Sequence, residues 1–359
     1  MANPVQEHYQ TYPYPRYPLL ASVRRCHTYA LNLDALWCRF NGTLPPREGR
    51  GILLAGSGTF APYPWAVANP HDTVTALDLS ERSLGRARWH CLLHGRRNVL
   101  YRCGDLADPS ALDGSFGMID SFGVLHHLAD PLAGLKALEK RLVPGGIIRI
   151  MLYSRYARRE EESIRRAFKL LGVSSPRAAR RLMGRALAGS RLAAYLASAD
   201  EPDSLSGLAD ALLHPLVHTF RIDELMELVS QTGLRPLLFA HHNARENVAE
   251  EVNRLRTLEK ERYSPDNFVL YLGNGGGDGV QEGELHVLLN PCLVSSVGRL
   301  SVGATGIPSR IGCENTLLTG REKSFLRRFI APVPRRELSE HDLQRLAPYR
   351  RQLFLLEYS

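Results

Sequence analysis

Gly56-Ser57-Gly58 follows the apolar run Gly51-Ile52-Leu53-Leu54-Ala55, and Asp78 stands twenty positions after Gly58. Glycines directly after a strand let the backbone approach a ligand closely, and a helix N-terminus beyond them points at it. An acid at the end of the next strand is placed to bond both hydroxyls of a ribose. Together the two features point to a nucleoside. They leave its class open, because Gly56-x-Gly58-x-x-Ala61 also fits a dinucleotide fingerprint whose third glycine is alanine. Asp78 is equally a candidate cap for a helix starting near Ser80.

Cys103-Gly104-Asp105-Leu106 follows a third apolar run and offers an acid to an adenine amino group. Phe116 through Leu128 then runs along a strand into the mouth of such a site and carries the pair His126-His127. His214 and His218 stand four apart on a possible helix. An imidazole can accept a proton from an attacking nucleophile, so these four are the candidate bases. Their plainer roles are a helix cap and packed core rings. A pair of histidines alone is a weak metal site, so no metal is expected there. Tyr12, Tyr14, Arg16 and Tyr17 alternate with prolines. They suit a lid whose rings exclude water and whose Arg16 pairs with a carboxylate. They suit equally a strap packed on the outer face.

At about residues 50–152 the series resembles the class I S-adenosylmethionine-dependent methyltransferases. The most specific parts are Asp120 through His127 and Leu142-Val143-Pro144-Gly145-Gly146. The resemblance implies an α/β fold with a Rossmann-like doubly wound sheet, mostly parallel with an antiparallel last strand. It implies S-adenosyl-L-methionine as cofactor. Gly56 and Gly58 would pass close to its methionine part, Asp78 and Leu79 would hold the ribose, and Asp105 and Leu106 would border the adenine. Phe122 and Gly123 would lie near the methyl group. Two positions depart from the pattern: Ala55 stands where an acid is frequent, and Phe60 where a third glycine is frequent. Val5 through Tyr9, Tyr12 through Tyr17, and Asp210 through Phe220 are similar to a bacterial subgroup often fused to tetratricopeptide repeats. The chain contains no such repeats.

These residues need elements to hold them. Short apolar runs alternate with amphipathic stretches over 51–153, the pattern of a parallel sheet covered on both faces. The expected organisation is an N-terminal extension or lid at 1–48, a cofactor-binding core at 49–154 and a helical cap insertion at 155–221. The end of the core follows at 222–273, and a small α+β appendage at 281–359. Five glycines within 273–279 suggest a joint before the appendage. Breaks in the cap are expected near Gly172–Pro176 and near Pro202.

With 359 residues, the chain is long enough for a large core. Its formal net charge of +8 favours acidic partners, although no basic block is dense enough to read as a nucleic-acid tail. The six cysteines form no C-x-x-C pair, and scattered thiols fit a reducing cytosol; Cys292 and Cys313 are expected as buried structural thiols. No leader and no apolar run of membrane-spanning length is apparent. The expectation is a cytoplasmic bacterial methyltransferase acting on a small molecule or amino-acid-derived metabolite. The alternatives are a peptide or protein methyltransferase that docks through 281–359, and a non-catalytic nucleoside- or dinucleotide-binding protein. Nucleic acid ranks below these, and no membrane is expected as partner.

Overall fold

A computed structural model describes residues 3–198, 204–274, 283–301 and 303–359. Seven strands form the main sheet: β1 (Ile52–Ala55), β2 (Val74–Asp78), β3 (Val99–Cys103), β4 (Phe116–Phe122), β5 (Leu142–Leu152), β6 (Arg235–Phe239) and β7 (Phe268–Gly273). Their order is β3-β2-β1-β4-β5-β7-β6. β1 to β5 run parallel, and β7 runs antiparallel to both neighbours. Every residue of β1 and β2 is buried, as expected for central strands covered on both faces. The order reverses between β1 and β4, and a ligand crevice forms at the carboxyl ends there.

Fourteen helices surround the sheets among the described residues. The first five are α1 (Pro4–Thr11), α2 (Leu33–Asn41), α3 (Pro62–Ala68), α4 (Glu81–Leu93) and α5 (Pro131–Glu139). Local chemistry sets their ends. The Ser80 hydroxyl caps α4 by accepting from Ser83 N at 3.1 Å, and Gly42 ends α2 in the left-handed region at φ 70°. α6 (Arg159–Leu170), α7 (Pro176–Met183), α8 (Arg191–Ser198) and α9 (Leu205–Leu213) form the cap, with a small core of its own around Phe168, Met183, Tyr195 and Leu208. The expected break near Pro202 lies outside the described residues. α10 (Ile222–Ser230) and α11 (Val248–Lys260) pack beside β6 and β7. No helix among the described residues is long and apolar enough to cross a membrane.

The C-terminal part holds β8 (His286–Leu289), α12 (Val294–Val297), β9 (Thr305–Ile307), β10 (Thr316–Leu318), α13 (Gly320–Arg327), β11 (Val333–Pro334), α14 (Glu340–Arg351) and β12 (Leu355–Tyr358). It shares one hydrophobic core with the N-terminal elements and one face of the main sheet. Tyr29 meets Phe354 edge-on at 5.1 Å between ring centres. The Asn290 amide donates to the carbonyls of Tyr29 and Leu353 at 3.0 and 2.8 Å. Leu289, Leu293, Phe329 and Phe354 are fully buried in that shared core, and removing their apolar surface from water favours the union. The glycine joint falls mostly on residues outside those described. Cys292 is fully buried as expected, but Cys313 is only half-buried.

If the two regions share a core, they should not fold apart. A chain ending at residue 282 should be insoluble or lose cooperative thermal unfolding. A soluble truncated chain with an unchanged melting temperature would show that the appendage is separable.

Candidate functional site

The carboxyl ends of β1, β2 and β4 open into a cavity of about 820 Å³. A slot of about 50 Å³ adjoins it, and the two share Tyr9, Gly56, Asp78 and Val124. Gly56 and Gly58 both have positive φ, 76° and 58°. A Cβ on Gly56 would lie 2.4 Å from a Val124 methyl, and one on Gly58 would lie 2.8 Å from the Tyr14 carbonyl. Only glycine fits either place.

Asp78 ties this loop to the sheet. Gly58 N donates to one carboxylate oxygen at 2.7 Å, and Ser80 N to the other at 2.9 Å. Burial raises its pKa, and the two amide bonds oppose that rise. An ionised carboxylate has about four acceptor positions, so two remain for a ligand. Ser80, not Asp78, caps α4; Asp78 instead joins the glycine loop to the segment before that helix, and it stands as the candidate ribose holder. Leu79, Asp105 and Leu106 line the slot. One Asp105 oxygen accepts from Ala107 N at 2.9 Å, which fixes the turn after β3.

The four candidate histidines separate. Only His127 lies on the cavity wall. Its Nδ1 lies 2.8 Å from the Leu216 carbonyl, so Nδ1 carries the proton and Nε2 is the acceptor. His214 stacks on His127 from behind at 3.7 Å, and His8 lies 4.8 Å beyond it. His126 is fully buried and stacks on Tyr153 at 3.8 Å. His218 is off the wall, its backbone N donating to the His126 carbonyl at 2.8 Å. Burial, opposed by the Leu216 bond, pushes His127 down to about 3. Burial, then the nearby His127 and His8 charges, pushes His214 down to about 2, and burial lowers His126 likewise. These rings are neutral near pH 7. Such a His127 accepts a hydrogen bond readily and stores a proton poorly.

Of the strap residues, Tyr14 and Tyr17 reach the cavity with Pro15, and Tyr12 and Arg16 do not. The strap is seated on the glycine loop. Thr59 donates from its backbone to the Tyr14 carbonyl at 3.3 Å and from its hydroxyl to the Pro15 carbonyl. Phe60, the departure from the family pattern, is the seat itself: Tyr17 packs on it at 4.4 Å. It widens the aromatic wall without closing the cavity.

Several wall residues carried no role in the sequence reading. Phe122 and Gly123 line the cavity, and Asp120 before them is engaged. It accepts Arg149 Nε and Nη2 at 2.7 and 2.8 Å, and Trp65 Nε1 at 2.9 Å. Arg149 lies over the Phe122 ring at 4.9 Å. Nothing in the spacing of residues 65, 120 and 149 announces this; the register of β4 on β5, which pairs Asp120 with Arg149, creates it. Tyr9 donates to Asp210 at 2.8 Å across 201 positions, and both line the cavity. Each sits in a segment similar to the bacterial subgroup, so the signal was present without its meaning. No cluster of three or more metal-ligating side chains is found among the described residues.

Residues 53–150 match the family described as "Methyltransferase domain". The chain therefore carries a Rossmann-like methyltransferase domain of the S-adenosylmethionine-dependent class I type. An uncharacterized protein of a Synechococcus strain is 33% identical over 165 residues, 45% of this chain and 40% of that protein. A ubiquinone biosynthesis O-methyltransferase of Idiomarina loihiensis is 41% identical over 86 residues, 23% of this chain and 34% of the enzyme. The chain thus spans less than half the length of these relatives. Among solved structures, PKMT2 from Rickettsia typhi aligns with 97% of this chain and 78% of its own, at TM-score 0.56 and 15% identity. That likeness concerns the fold.

The histidine stack yields a pH prediction. In the unfolded chain both His127 and His214 protonate near 6.5, and in the folded chain they resist until about 3 and about 2. Their neutral burial thus contributes stability that is present above about pH 6.5 and lost as pH falls below it. Melting temperature should fall from pH 7.5 to 4.5, and His214→Phe, which keeps a ring but cannot titrate, should flatten that fall. Parallel curves for the two proteins would contradict the assignment.

Proposed function

We propose that this chain transfers the methyl group of S-adenosyl-L-methionine to a small molecule. The observation that carries the reading is the enclosed cavity against Gly56, Gly58 and Asp78. Its volume of about 820 Å³ suits a ligand pair of small-molecule size. It is roofed by the strap and by α9 rather than laid out as a flat groove, which favours a small acceptor over a protein surface.

The residues present fit the cofactor. The two glycines leave a cradle that any Cβ would fill, and Asp78 keeps free lone pairs facing the cavity. Gly56 and Gly58 would take the methionine part, Asp78 the ribose and the slot with Leu79, Asp105 and Leu106 the adenine. The slot has room for one or two waters at about 30 Å³ each, so Leu79, Leu106 and Leu128 must part to admit a base. The cofactor supplies an activated methyl group on a sulfonium, a good leaving group. The protein's task is then alignment and exclusion of water. Tyr14, Tyr17 and Trp65 keep water out. His127 Nε2 accepts a hydrogen bond from the acceptor's O–H or N–H and orients its lone pair. Asp210, already holding the Tyr9 hydroxyl, is the charged acceptor on the same wall for a proton released by the nucleophile. His126, His214 and His218 act behind the wall, as packing.

Calorimetry with S-adenosylhomocysteine and with NADH tests the cofactor reading. The homocysteine compound should bind and NADH should not. Asp78→Ala should weaken binding about 10- to 100-fold, the value of one or two hydrogen bonds to a charged group. A circular-dichroism melt must accompany it, since the change also strands the amides of Gly58 and Ser80. Binding of NADH instead, or an Asp78→Ala protein that is folded and binds normally, would overturn the reading.

A further inference from the structure

The cavity differs in charge from one end to the other. Asp78 and Asp210 line the cavity together with Tyr9; Asp78 accepts from two backbone amides and Asp210 from the Tyr9 phenol. That end suits a cationic sulfonium. Arg24 and Arg310 are exposed and line the same cavity, so they form its rim. They come from opposite ends of the sequence, Arg24 from the strap and Arg310 from the C-terminal region. His27 joins them: Arg310 Nε lies 3.5 Å from its carbonyl. His27 lines the cavity with them, and burial first, then the charges of Arg24 and Arg310, lowers the pKa of its ring.

The rim charge is uncompensated. The other two arginines on the wall are neutralised, Arg149 by Asp120 at 2.7 Å and Arg158 by Glu161 at 3.0 Å. Among the described residues neither Arg24 nor Arg310 enters an ion pair. Two like charges held together at a cavity rim repel each other and raise the local potential for an anion. The lining of the same cavity is rich in aromatic rings, among them Tyr17, Phe60, Phe122 and Tyr153.

We propose that the methyl acceptor is a small aromatic molecule with an anionic group, and that Arg24 and Arg310 hold that group at the rim. This rests on the methyl-transfer reading above. A guanidinium binds carboxylate or phosphate through paired N–H donors, which fixes the orientation of the bound molecule as well as its position. With its anion held outside, the acceptor presents its other end to the inner wall, where His127 and Asp210 stand. The pattern also explains why the C-terminal region is built into the core: it supplies half of the anion site.

The test is calorimetric titration of the full chain, first with S-adenosylhomocysteine, then, once saturated, with benzoate, phenyl phosphate and neutral benzamide. One anion should bind at least about tenfold more tightly than benzamide. Which anion does so separates carboxylate from phosphate. In the Arg24→Gln, Arg310→Gln double variant the preference should fall below about twofold while S-adenosylhomocysteine affinity stays within about threefold. Benzamide binding as well as both anions, or no binding by any of the three, overturns the proposal. So does a double variant that loses S-adenosylhomocysteine affinity in step, since the arginines would then hold the cofactor's own carboxylate. Failure of the wild-type chain to bind S-adenosylhomocysteine is a different result: it removes the methyl-transfer reading before any acceptor probe is added.

Discussion

The reversal of strand order between β1 and β4 is the constraint on which the rest of the molecule depends. β1 pairs with β2 on one side and with β4 on the other. Successive connections leave these strands toward opposite faces of the sheet, so nothing fills the space above their carboxyl ends. The chain must cover that crevice or line it. It does both: glycines turn the backbone sharply away after β1, and Asp120 and Phe122 rise from the end of β4. The strap, the cap and the C-terminal region then close it from three directions.

Asp78 shows how one residue meets two demands. Burying a carboxylate is unfavourable without compensation. The amides of Gly58 and Ser80 supply that compensation from the two segments it joins. The loop that cradles a ligand is thereby held by the same group that would bind its ribose. Asp120 solves the same problem differently. It is buried more deeply in side-chain chemistry, with Arg149 and Trp65 taking both oxygens. A buried pair of this kind is weak evidence for stability, because desolvation offsets most of the attraction. Its effect here is geometric: it fixes a guanidinium and an indole on the cavity wall.

Much of the fold was legible because its signals are local. The apolar runs at 52–55, 74–78 and 116–122, Ser80 ahead of α4 and the glycines after β1 each carry their meaning within a few residues. α1, α3 and the short strands β9, β10 and β11 were missed for the opposite reason. α1 and α3 have eight and seven residues with prolines at their starts, and the strands have two or three residues each. Segments so short are set by what they pack against rather than by their own periodicity. The site divides in the same way. The glycine loop, Asp78 and the slot residues were readable, because the positions after successive strands of a parallel sheet converge on one edge. Arg149, Asp210 and Arg310 were not, because each reaches the cavity through strand register or through contacts more than a hundred positions away. Among the histidines, sequence gave four equal candidates. Which ring faces the cavity is what separates His127 from the others, and that is a tertiary property.

The two ends of the sequence meet on the cavity wall. Tyr9, Tyr14 and Arg24 come from the first 24 residues, and Arg310 from the last 50. The N-terminal segment is tied down along its length by separate hydrogen bonds, among them Gln6 to the Leu79 carbonyl at 3.1 Å, Tyr9 to Asp210 at 2.8 Å, Ser80 Oγ to the Tyr9 carbonyl at 3.2 Å and Thr59 to the Tyr14 carbonyl at 3.3 Å. Each is worth about 0.5–1.5 kcal/mol net, somewhat more where Asp210 is charged. The roof is therefore held by separate contacts near the surface, while the floor is made of fully buried central strands at the high end of local stability. A site built this way can open its roof contact by contact without unfolding the sheet. It also ties ligand occupancy to the order of the N-terminal segment, because every group bound between floor and roof adds contacts to the less stable of the two.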